Sequence, residues 1–319
     1  MTKPLKQWQP FTSQLDLLQE RGLIVENRKS ALDYLERVGY YRLSGYWYPF
    51  RVYDNAKSEE MGKHIRLDTF VEGSRFEDVV KLYIFDKKLR LLAIDALERI
   101  EMAVRVDIAH LLGEKSPLAH KEASCLHGNF TKKKIKRGFN AGKTEHQVWL
   151  QKYESQLNRS HKEDFVRHHL KSYGDLPIWT AIEVWDFGML SKLYAGMQHA
   201  DMEIISKKYG AKDGKQFAQW LRSLNFIRNV SAHHSRLWNI NIVENSSTPI
   251  GWSSKLNNKK PFFYFCLMQQ FLTVICPNSK WKERLKETLY TSFPIVKTNA
   301  ISLSDFGIID DWKGWDLWL

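Results

Sequence analysis

The sequence lacks the features that mark disulfide-bonded, secreted and membrane-spanning proteins. Its 319 residues include three cysteines, Cys125, Cys266 and Cys276. Three scattered thiols support neither a disulfide framework nor a thiolate metal site, so we expect a reducing, cytoplasmic environment. The N-terminus has no apolar segment of the kind that a secretory signal needs. The longest apolar stretch, Phe262–Cys276, contains two glutamines and is short for a membrane span, which predicts a buried helix and no membrane partner.

Motifs for metal, nucleotide or acyl-transfer chemistry are absent as well. No His-Glu-x-x-His or Gly-x-Ser-x-Gly pattern occurs, and Gly210–Gln216 lacks the spacing and the Ser/Thr of a phosphate loop. His161, His168 and His169 are close in sequence, but only Asp164 shares a helix face with His168. Two ligands do not make a metal site, so a surface helix explains the group. We therefore expect no metal and no small-molecule cofactor.

Positive charge and aromatic rings are both in excess. The chain has 48 Lys and Arg against 36 Asp and Glu, a formal net charge of +12, and 13% of its residues are aromatic. A cationic surface suits a polyanionic partner and aromatic side chains stack on unpaired bases, so the composition favours RNA. A well-packed core beneath a basic surface explains the same composition without RNA.

Helical periodicity dominates the chain. Apolar residues recur at helical spacing over Ala31–Val38, Phe76–Leu112 and Lys215–Ser235. The second stretch has no Pro or Gly before Gly113, so it predicts one long helix, or two helices with a bend, closed by Gly113 and Pro117.

Strand signals are sparse. Alternation is limited to His64–Val71 and Ile240–Val243, and no repeated strand–helix–strand units occur. We therefore predict an all-α fold in three regions: an N-terminal helical region (1–75), a helical core with a basic insertion near 116–160 (76–245), and a C-terminal accessory region (246–319).

The segment 129–143, between the two long helices, is strongly basic. It holds six cations and no acid, namely Lys132, Lys133, Lys134, Lys136, Arg137 and Lys143. Like charges at this density repel one another, which predicts a loop or frayed helix until a polyanion neutralises it. We assign the first five as candidate contacts to an RNA backbone. A solvated loop is the alternative.

The C-terminal tail combines acidic residues with tryptophan. Trp312, Trp315 and Trp318 recur at every third position, which gives one face if the segment is helical, although Gly314 weakens a helix there. We expect the tail to dock onto the protein's own core or basic surface. A partner site is the alternative.

Two Arg–His pairs are the remaining candidates for chemistry. Arg228 precedes His233, and Arg105 precedes His110, with four residues between them in each pair. Histidine transfers protons near neutral pH, whereas arginine offers phosphate oxygens a fixed fork of donors. Asn229 shares a helix face with His233 and can orient its imidazole. Such groups suit cleavage of RNA by its own 2′-OH, a reaction that requires no metal.

The spacing also limits each pair. Five residues of helix separate the two side chains by about 140° around the axis. One motif by itself therefore makes no tight cleft: the helix must loosen, the two motifs must meet, or a symmetric dimer must supply a second copy. The simplest alternative for Arg228, Asn229 and His233 is a helix C-terminus, where the dipole favours cations.

Several blocks occur in a characteristic order. They are GYYRLSGYWYPF (39–50), YIFDKKLR (83–90), ERIE (98–101), PIW (177–179) with Glu183 and FGMLS (187–191), and RNVSAHHSRLW (228–238). Taken together, over residues 20–240, they resemble the Abi-like abortive-infection family of bacterial phage-defence proteins (the AbiD/AbiF group).

The resemblance implies a HEPN-like helical core, because Abi-like proteins are grouped with the HEPN superfamily. Its members carry an Arg-x(4–6)-His motif and act as metal-independent ribonucleases, often as dimers. Carried onto this sequence, the catalytic residues are Arg228, Asn229, His233, Arg105 and His110. His234 also fits the permitted spacing and competes with His233. In the first block, Tyr41 and Arg42 join the basic segment as candidate RNA contacts.

We therefore expect an endoribonuclease toxin of a phage-defence system, acting as a homodimer on RNA and restrained by a partner that includes antitoxin RNA in part of the group. The alternative is a non-catalytic RNA-binding regulator of a toxin–antitoxin or defence system. A metal nuclease ranks third, because no acidic ligand cluster is visible.

Overall fold

The computed structural model describes Leu5, residues 7–62 and residues 65–319, and over these residues the fold is all-α, as predicted. The N-terminal helices are α1 (Phe11–Glu20), α2 (Arg28–Val38), α3 (Tyr40–Trp47) and α4 (Asn55–Met61). The central helices are α5 (Phe76–Gly113), α6 (Gly128–Thr131), α7 (Glu145–Arg159), α8 (Asp164–Tyr173), α9 (Ile178–Ala181), α10 (Phe187–Ala195), α11 (His199–Lys208) and α12 (Gly214–Ala232). The C-terminal helices are α13 (Pro261–Ile275) and α14 (Trp281–Thr291).

A small antiparallel sheet joins β1 (Arg51–Tyr53) to β2 (Arg66–Phe70). The second strand lies in the segment predicted to alternate, of which His64 falls outside the described residues. The strand predicted at Ile240–Val243 is wrong, because this segment is irregular and has no partner strand in the described chain. Ile242 alone is buried there, and its N–H donates to the Lys259 carbonyl at 2.9 Å. The alternation thus reflects one anchored side chain in a coil.

Helix α5 is the axis of the fold. It runs unbroken from Phe76 to Gly113, so the single long helix is confirmed and the bend is not found. Helices α3, α12, α13 and α14 all pack against it. Its buried residues lie on most of its circumference, as expected for a helix surrounded by others.

Helix α12 begins and ends through identifiable caps. The Asp213 carboxylate accepts the Gln216 N–H at 2.7 Å and so satisfies a donor that the helix leaves free. The helix ends at Ala232, three residues before the predicted end, because His234 adopts a left-handed backbone with φ 57°. The Ser235 N–H then donates back to the Val230 carbonyl at 2.9 Å. His233 and His234 consequently lie at a helix terminus rather than inside a helix.

The C-terminal region covers the other side of the core. Helix α13 is buried as predicted, and among the described residues no helix combines the length and apolar character of a membrane span. The tail forms only a short 3₁₀ turn at Trp312–Gly314 rather than an α-helix. Trp312 and Trp318 are nevertheless buried, with ring centroids 5.5 and 5.9 Å from that of Phe262. The tail therefore docks onto the protein's own core, as expected.

A buried carboxylate, Asp86 on α5, holds three of the sequence blocks together. Its oxygens accept the Leu237 and Trp238 N–H groups at 3.0 and 2.7 Å and the Tyr46 hydroxyl at 2.6 Å, and Arg90 pairs with it. Burial raises the pKa of the Asp86 carboxyl above its usual value, although all four partners act in the opposite direction. This hub fixes the loop after α12, and hence the exposed histidines, to α3 and α5.

The basic insertion packs on the core through a second buried polar group. His120 is fully buried, and its ring centroid lies 5.3 Å from that of Tyr153 and 5.7 Å from that of Trp185. Within the described chain, neither ring nitrogen has a hydrogen-bond partner. Burial, with a smaller contribution from the Lys121 charge, lowers the pKa of His120 to about 3. The imidazole is therefore neutral at physiological pH.

We predict that Asp86→Ala destabilises the protein by about 3–5 kcal/mol, because it strands the buried Arg90 charge and two backbone donors. Urea unfolding followed by circular dichroism measures this loss. Asp95→Ala is the control, since Asp95 lies on the same helix but pairs with Arg99 and Arg284 in partly exposed positions. It should cost below about 1 kcal/mol. Equal losses for the two variants would show that Asp86 is not a hub.

We also predict that His120 makes the fold acid-sensitive. Because its pKa is lowered from 6.5 to about 3, the unfolded chain takes up a proton that the native protein refuses between these values. Stability should fall as the pH drops through this window, by up to about 1.4 kcal/mol per pH unit from this group. The variant His120→Phe should flatten the wild-type dependence, whereas the exposed His161→Gln should not. Parallel curves for all three proteins would contradict this assignment.

Candidate functional site

The two predicted arginines lie on α5 and α12, two helices that pack against each other. The Arg105 Nη2 donates to Glu101 Oε1 and to the Trp185 carbonyl, each at 2.6 Å, and its Nη1 lies 3.5 Å from Glu183. The Arg228 Nη1 lies 3.4 Å from Asn229 Oδ1. The Arg228 charge also acts on Glu101, the same carboxylate that Arg105 binds. Within one chain, Glu101 is therefore bonded to the arginine of one motif and influenced by the charge of the other.

Two carboxylates share this site, and their environments push their pKa values apart. Burial raises the pKa of Glu101, and this effect outweighs the charges of Arg105 and Arg228. Burial alone would raise the pKa of Asp186. Hydrogen bonds from Lys152 and from the Met189 N–H, together with the charges of Lys152 and Arg228, outweigh this effect and hold the pKa of Asp186 below its usual value. Pairs of groups separated in this way are typical of proton-handling sites.

Sequence reasoning missed both carboxylates. Glu101 had a local signal, because it precedes Arg105 by four residues and so faces it on the helix. Asp186 comes from the turn before α10, where it caps the helix by accepting the Met189 N–H at 2.8 Å. Only the tertiary packing brings it beside Arg228, so no sequence pattern indicates it.

The motif histidines lie on the surface. His110 is exposed and, together with Arg105, Trp179 and Glu183, lines a cavity of about 610 Å³. His233 is exposed as the residue that ends α12. Arg228 is half-buried, and no hydrogen bond joins it to His233 in the described chain. This separation agrees with the angle that the spacing imposes.

The first sequence block holds the histidine loop in place. Arg42 donates to the His234 carbonyl, and Arg236 donates to the Gly45 carbonyl. Arg42, predicted to contact RNA, therefore has a structural bond to the loop after α12. Tyr41, the other candidate from this block, is 92% exposed and leaves its ring open to solvent.

The basic segment forms an exposed hairpin-like loop, which confirms the predicted loop. The Ile135 N–H donates to the Lys143 carbonyl at 2.8 Å, and the Gly142 N–H donates to the Ile135 carbonyl at 2.9 Å. The five candidate cations are exposed and make no ion pair with any described residue, namely Lys132, Lys133, Lys134, Lys136 and Arg137. Phe139 at the tip is completely exposed, and sequence reasoning missed it. Cations beside a bare ring suit unpaired nucleotides.

The described residues include no group of three or more His, Cys, Asp or Glu side chains with the geometry of a metal site. Of the three neighbouring histidines considered above, His168 and His169 lie on α8, and their ring centroids are 5.6 Å apart. His161 lies in the turn before this helix. The three cysteines are free thiols, as expected.

Comparison with known proteins gives one match. Searches of curated proteins and of solved structures each found none. A family model described as Abi-like protein matches residues 33–239, more than half of the chain. This range contains the Asp86 hub, both arginines and both motif histidines, and it ends directly after the loop that Asp86 holds. Membership suggests a part in abortive infection, the bacterial defence against phage. The chain belongs to the Abi-like protein family.

Proposed function

We propose that this Abi-like protein is an endoribonuclease toxin of a phage-defence system that cleaves RNA without a metal. One observation carries the proposal: Arg105 pairs with Glu101, the charge of Arg228 acts on both Glu101 and Asp186, and both motif histidines are exposed. Two cations near two carboxylates of different pKa, next to titratable imidazoles, supply the groups that phosphodiester transfer needs.

The proposed reaction uses the RNA's own nucleophile. One imidazole, His233 or His110, takes the proton of a 2′-OH as its oxygen attacks the adjacent phosphorus. The bond to the 5′-oxygen breaks, and a protonated imidazole donates a proton to this leaving group, so that the products are a 2′,3′-cyclic phosphate and a 5′-OH. Arg228, assisted by Arg105, stabilises the charge on the phosphorane, and Asn229 positions Arg228 through the bond that joins them.

The active form in this proposal is a homodimer. Arg228 is half-buried and has no bond to the exposed His233 in the described chain, so a second copy related by a two-fold axis can bring an imidazole to the arginines. Met102 and Val106 are 45% and 63% exposed on α5, next to Glu101 and Arg105. Apolar side chains at this position suit a contact between copies that completes the cleft.

The basic hairpin is the proposed entry for RNA. Its unpaired cations bind the phosphate backbone, and Phe139 and Tyr41 offer exposed rings for stacking. An antitoxin RNA would use the same surface, because backbone contacts do not depend on sequence.

A non-catalytic RNA-binding regulator is the second candidate. The observation that favours it is the pairing of Arg105 with Glu101, since the Arg105 side chain is 12% exposed and its charge is already compensated. In this alternative the arginines serve the fold and the hairpin alone binds RNA.

We predict that His233→Ala lowers RNA cleavage by about 10²- to 10⁴-fold, the usual contribution of a proton-transfer group. The assay incubates total RNA in EDTA and identifies the ends by their 2′,3′-cyclic phosphate. The control is His161→Ala, which also removes an exposed imidazole and should cleave normally. A folded His233→Ala variant with wild-type cleavage would overturn the assignment, and RNA that the wild-type protein binds but leaves intact would favour the regulator.

We predict that the hairpin sets the salt dependence of RNA binding. Lys133→Ser with Lys136→Ser should reduce the slope of log affinity against log salt by about 0.7 for each phosphate of single-stranded RNA that the variant no longer binds. Phe139→Ser should weaken binding by about 1–3 kcal/mol with an unchanged slope. The matched control removes two exposed lysines of the C-terminal region, Lys280→Ser with Lys297→Ser. A control that lowers the slope equally would mean that binding follows net charge alone.

A further inference from the structure

A second cavity, of about 780 Å³, opens between helices α7, α10 and α12. Each helix presents one face to it, from Glu145 to Lys152 on α7, from Gly188 to Ala195 on α10, and from Lys215 to Asn225 on α12. Helices α6 and α11 close one end. The volume lies within the range of pockets that hold small organic ligands.

The cavity has an apolar floor. Phe130, Trp149 and Met189 line it while remaining more than 90% buried, and the Trp149 Nε1 donates to the Met189 carbonyl at 3.0 Å, which fixes the indole. Met197 and Met202 add flexible thioether side chains that adapt to the shape of a ligand. A floor of rings and thioethers suits a flat, unsaturated group.

The rim of the cavity is cationic. Lys192, Lys215 and Arg222 are exposed along it, and its one carboxylate, Glu145, pairs with Lys192 at 3.1 Å. Arg222 pairs with Glu244 outside the cavity at 3.2 Å and keeps a 58% exposed side chain. The rim therefore retains excess positive charge towards a ligand.

Lys215 is an exposed cation in the first turn of α12. Two N–H groups of this helix start already have carboxylate partners, because Asp213 accepts the Gln216 N–H at 2.7 Å and Glu203 accepts the Gly214 N–H at 2.9 Å. The Lys215 ammonium itself has no ion pair or hydrogen bond with any described residue. The lysine side chain, rather than the helix end, is therefore free to bind an external anion.

Two imidazoles stand at the same end of the cavity. The rings of His127 and His199 have centroids 4.6 Å apart. The His127 Nδ1 accepts the Asn129 N–H at 3.1 Å, so in the neutral ring the proton is on Nε2 and remains available as a donor. Lys215 lines the same cavity as these two imidazoles.

We propose that this cavity binds a nucleoside phosphate, with the base against the Phe130–Trp149–Met189 floor and the phosphate at Lys215, His127 and His199. An inorganic anion would contact only the cationic rim, and an uncharged apolar ligand would contact only the floor. A nucleotide contacts both the rim and the floor. A free nucleotide and the terminal nucleotide of an RNA share this chemistry.

This site is distinct from the cleavage centre but borders on it. Lys152, at the far end of the cavity, pairs at 2.5 Å with Asp186, whose pKa the charge of Arg228 also lowers. Binding in the cavity requires no RNA cleavage, so the test uses the His233→Ala variant as well as the wild-type protein. If one of the two proposals fails, the other can therefore still be tested.

Calorimetric titration with the four nucleoside 5′-monophosphates tests the site. Adenosine, ribose 5-phosphate and inorganic phosphate serve as partial ligands. At least one monophosphate, or a 5′-phosphorylated tetranucleotide, should bind at least tenfold more tightly than every partial ligand. Binding of the tetranucleotide alone identifies an RNA end as the ligand. Binding of a monophosphate as well as the tetranucleotide shows that the cavity also takes a free nucleotide.

Two variants place the ligand in this cavity. Ala195→Trp fills it from the exposed side of α10, and Lys215→Glu reverses the rim charge. Each should weaken binding about tenfold or more, which corresponds to about 1.4 kcal/mol. The matched controls on α11, Ala200→Trp and Lys207→Glu, lie outside the lining and should bind normally. Thermal melting checks the fold, and Lys215→Glu decides the outcome if Ala195→Trp unfolds.

Three results would overturn the site. They are the absence of saturable binding by all monophosphates and the tetranucleotide, inorganic phosphate binding as tightly as the best nucleotide, and pocket variants that bind as their controls do.

Discussion

The geometry of the molecule depends on the buried carboxylate of Asp86. A charge in the core is tolerated only when its partners are numerous and well placed, and Asp86 has Arg90, Tyr46 and two backbone N–H groups. Those partners come from α3, α5 and the loop after α12, which are distant in sequence. The same carboxylate therefore closes the core and fixes the loop that carries His233 and His234.

The candidate site shows how two weak motifs become one arrangement. Arg105 and His110 line one cavity, whereas Arg228 is half-buried and His233 is exposed at the end of α12. Glu101 compensates Arg105 in the isolated chain, so in the proposed function a phosphate must compete with this carboxylate for the arginine.

The sequence predicts the helices well and the site only in part. The apolar period of α5 is long and uninterrupted, and the basic loop follows from charge density alone, so both could be recognised directly. The end of α12 was misplaced because the left-handed turn at His234 falls on a residue type without a distinctive signal. The strand predicted at Ile240–Val243 failed because a local alternation contains no information about a partner strand. The position of Asp186 and the cavity between α7, α10 and α12 arise from packing between helices, which no local pattern encodes.

The most direct measurement is a crystal structure of the protein with a short RNA that carries a 2′-deoxy nucleotide at the cleavage position. The account predicts one phosphate bound by Arg228, with the imidazole of His233 or His110, from the same or a second copy, within hydrogen-bond distance of its oxygens. RNA that lies elsewhere, with no phosphate at Arg228 and no imidazole near a phosphate, would contradict it.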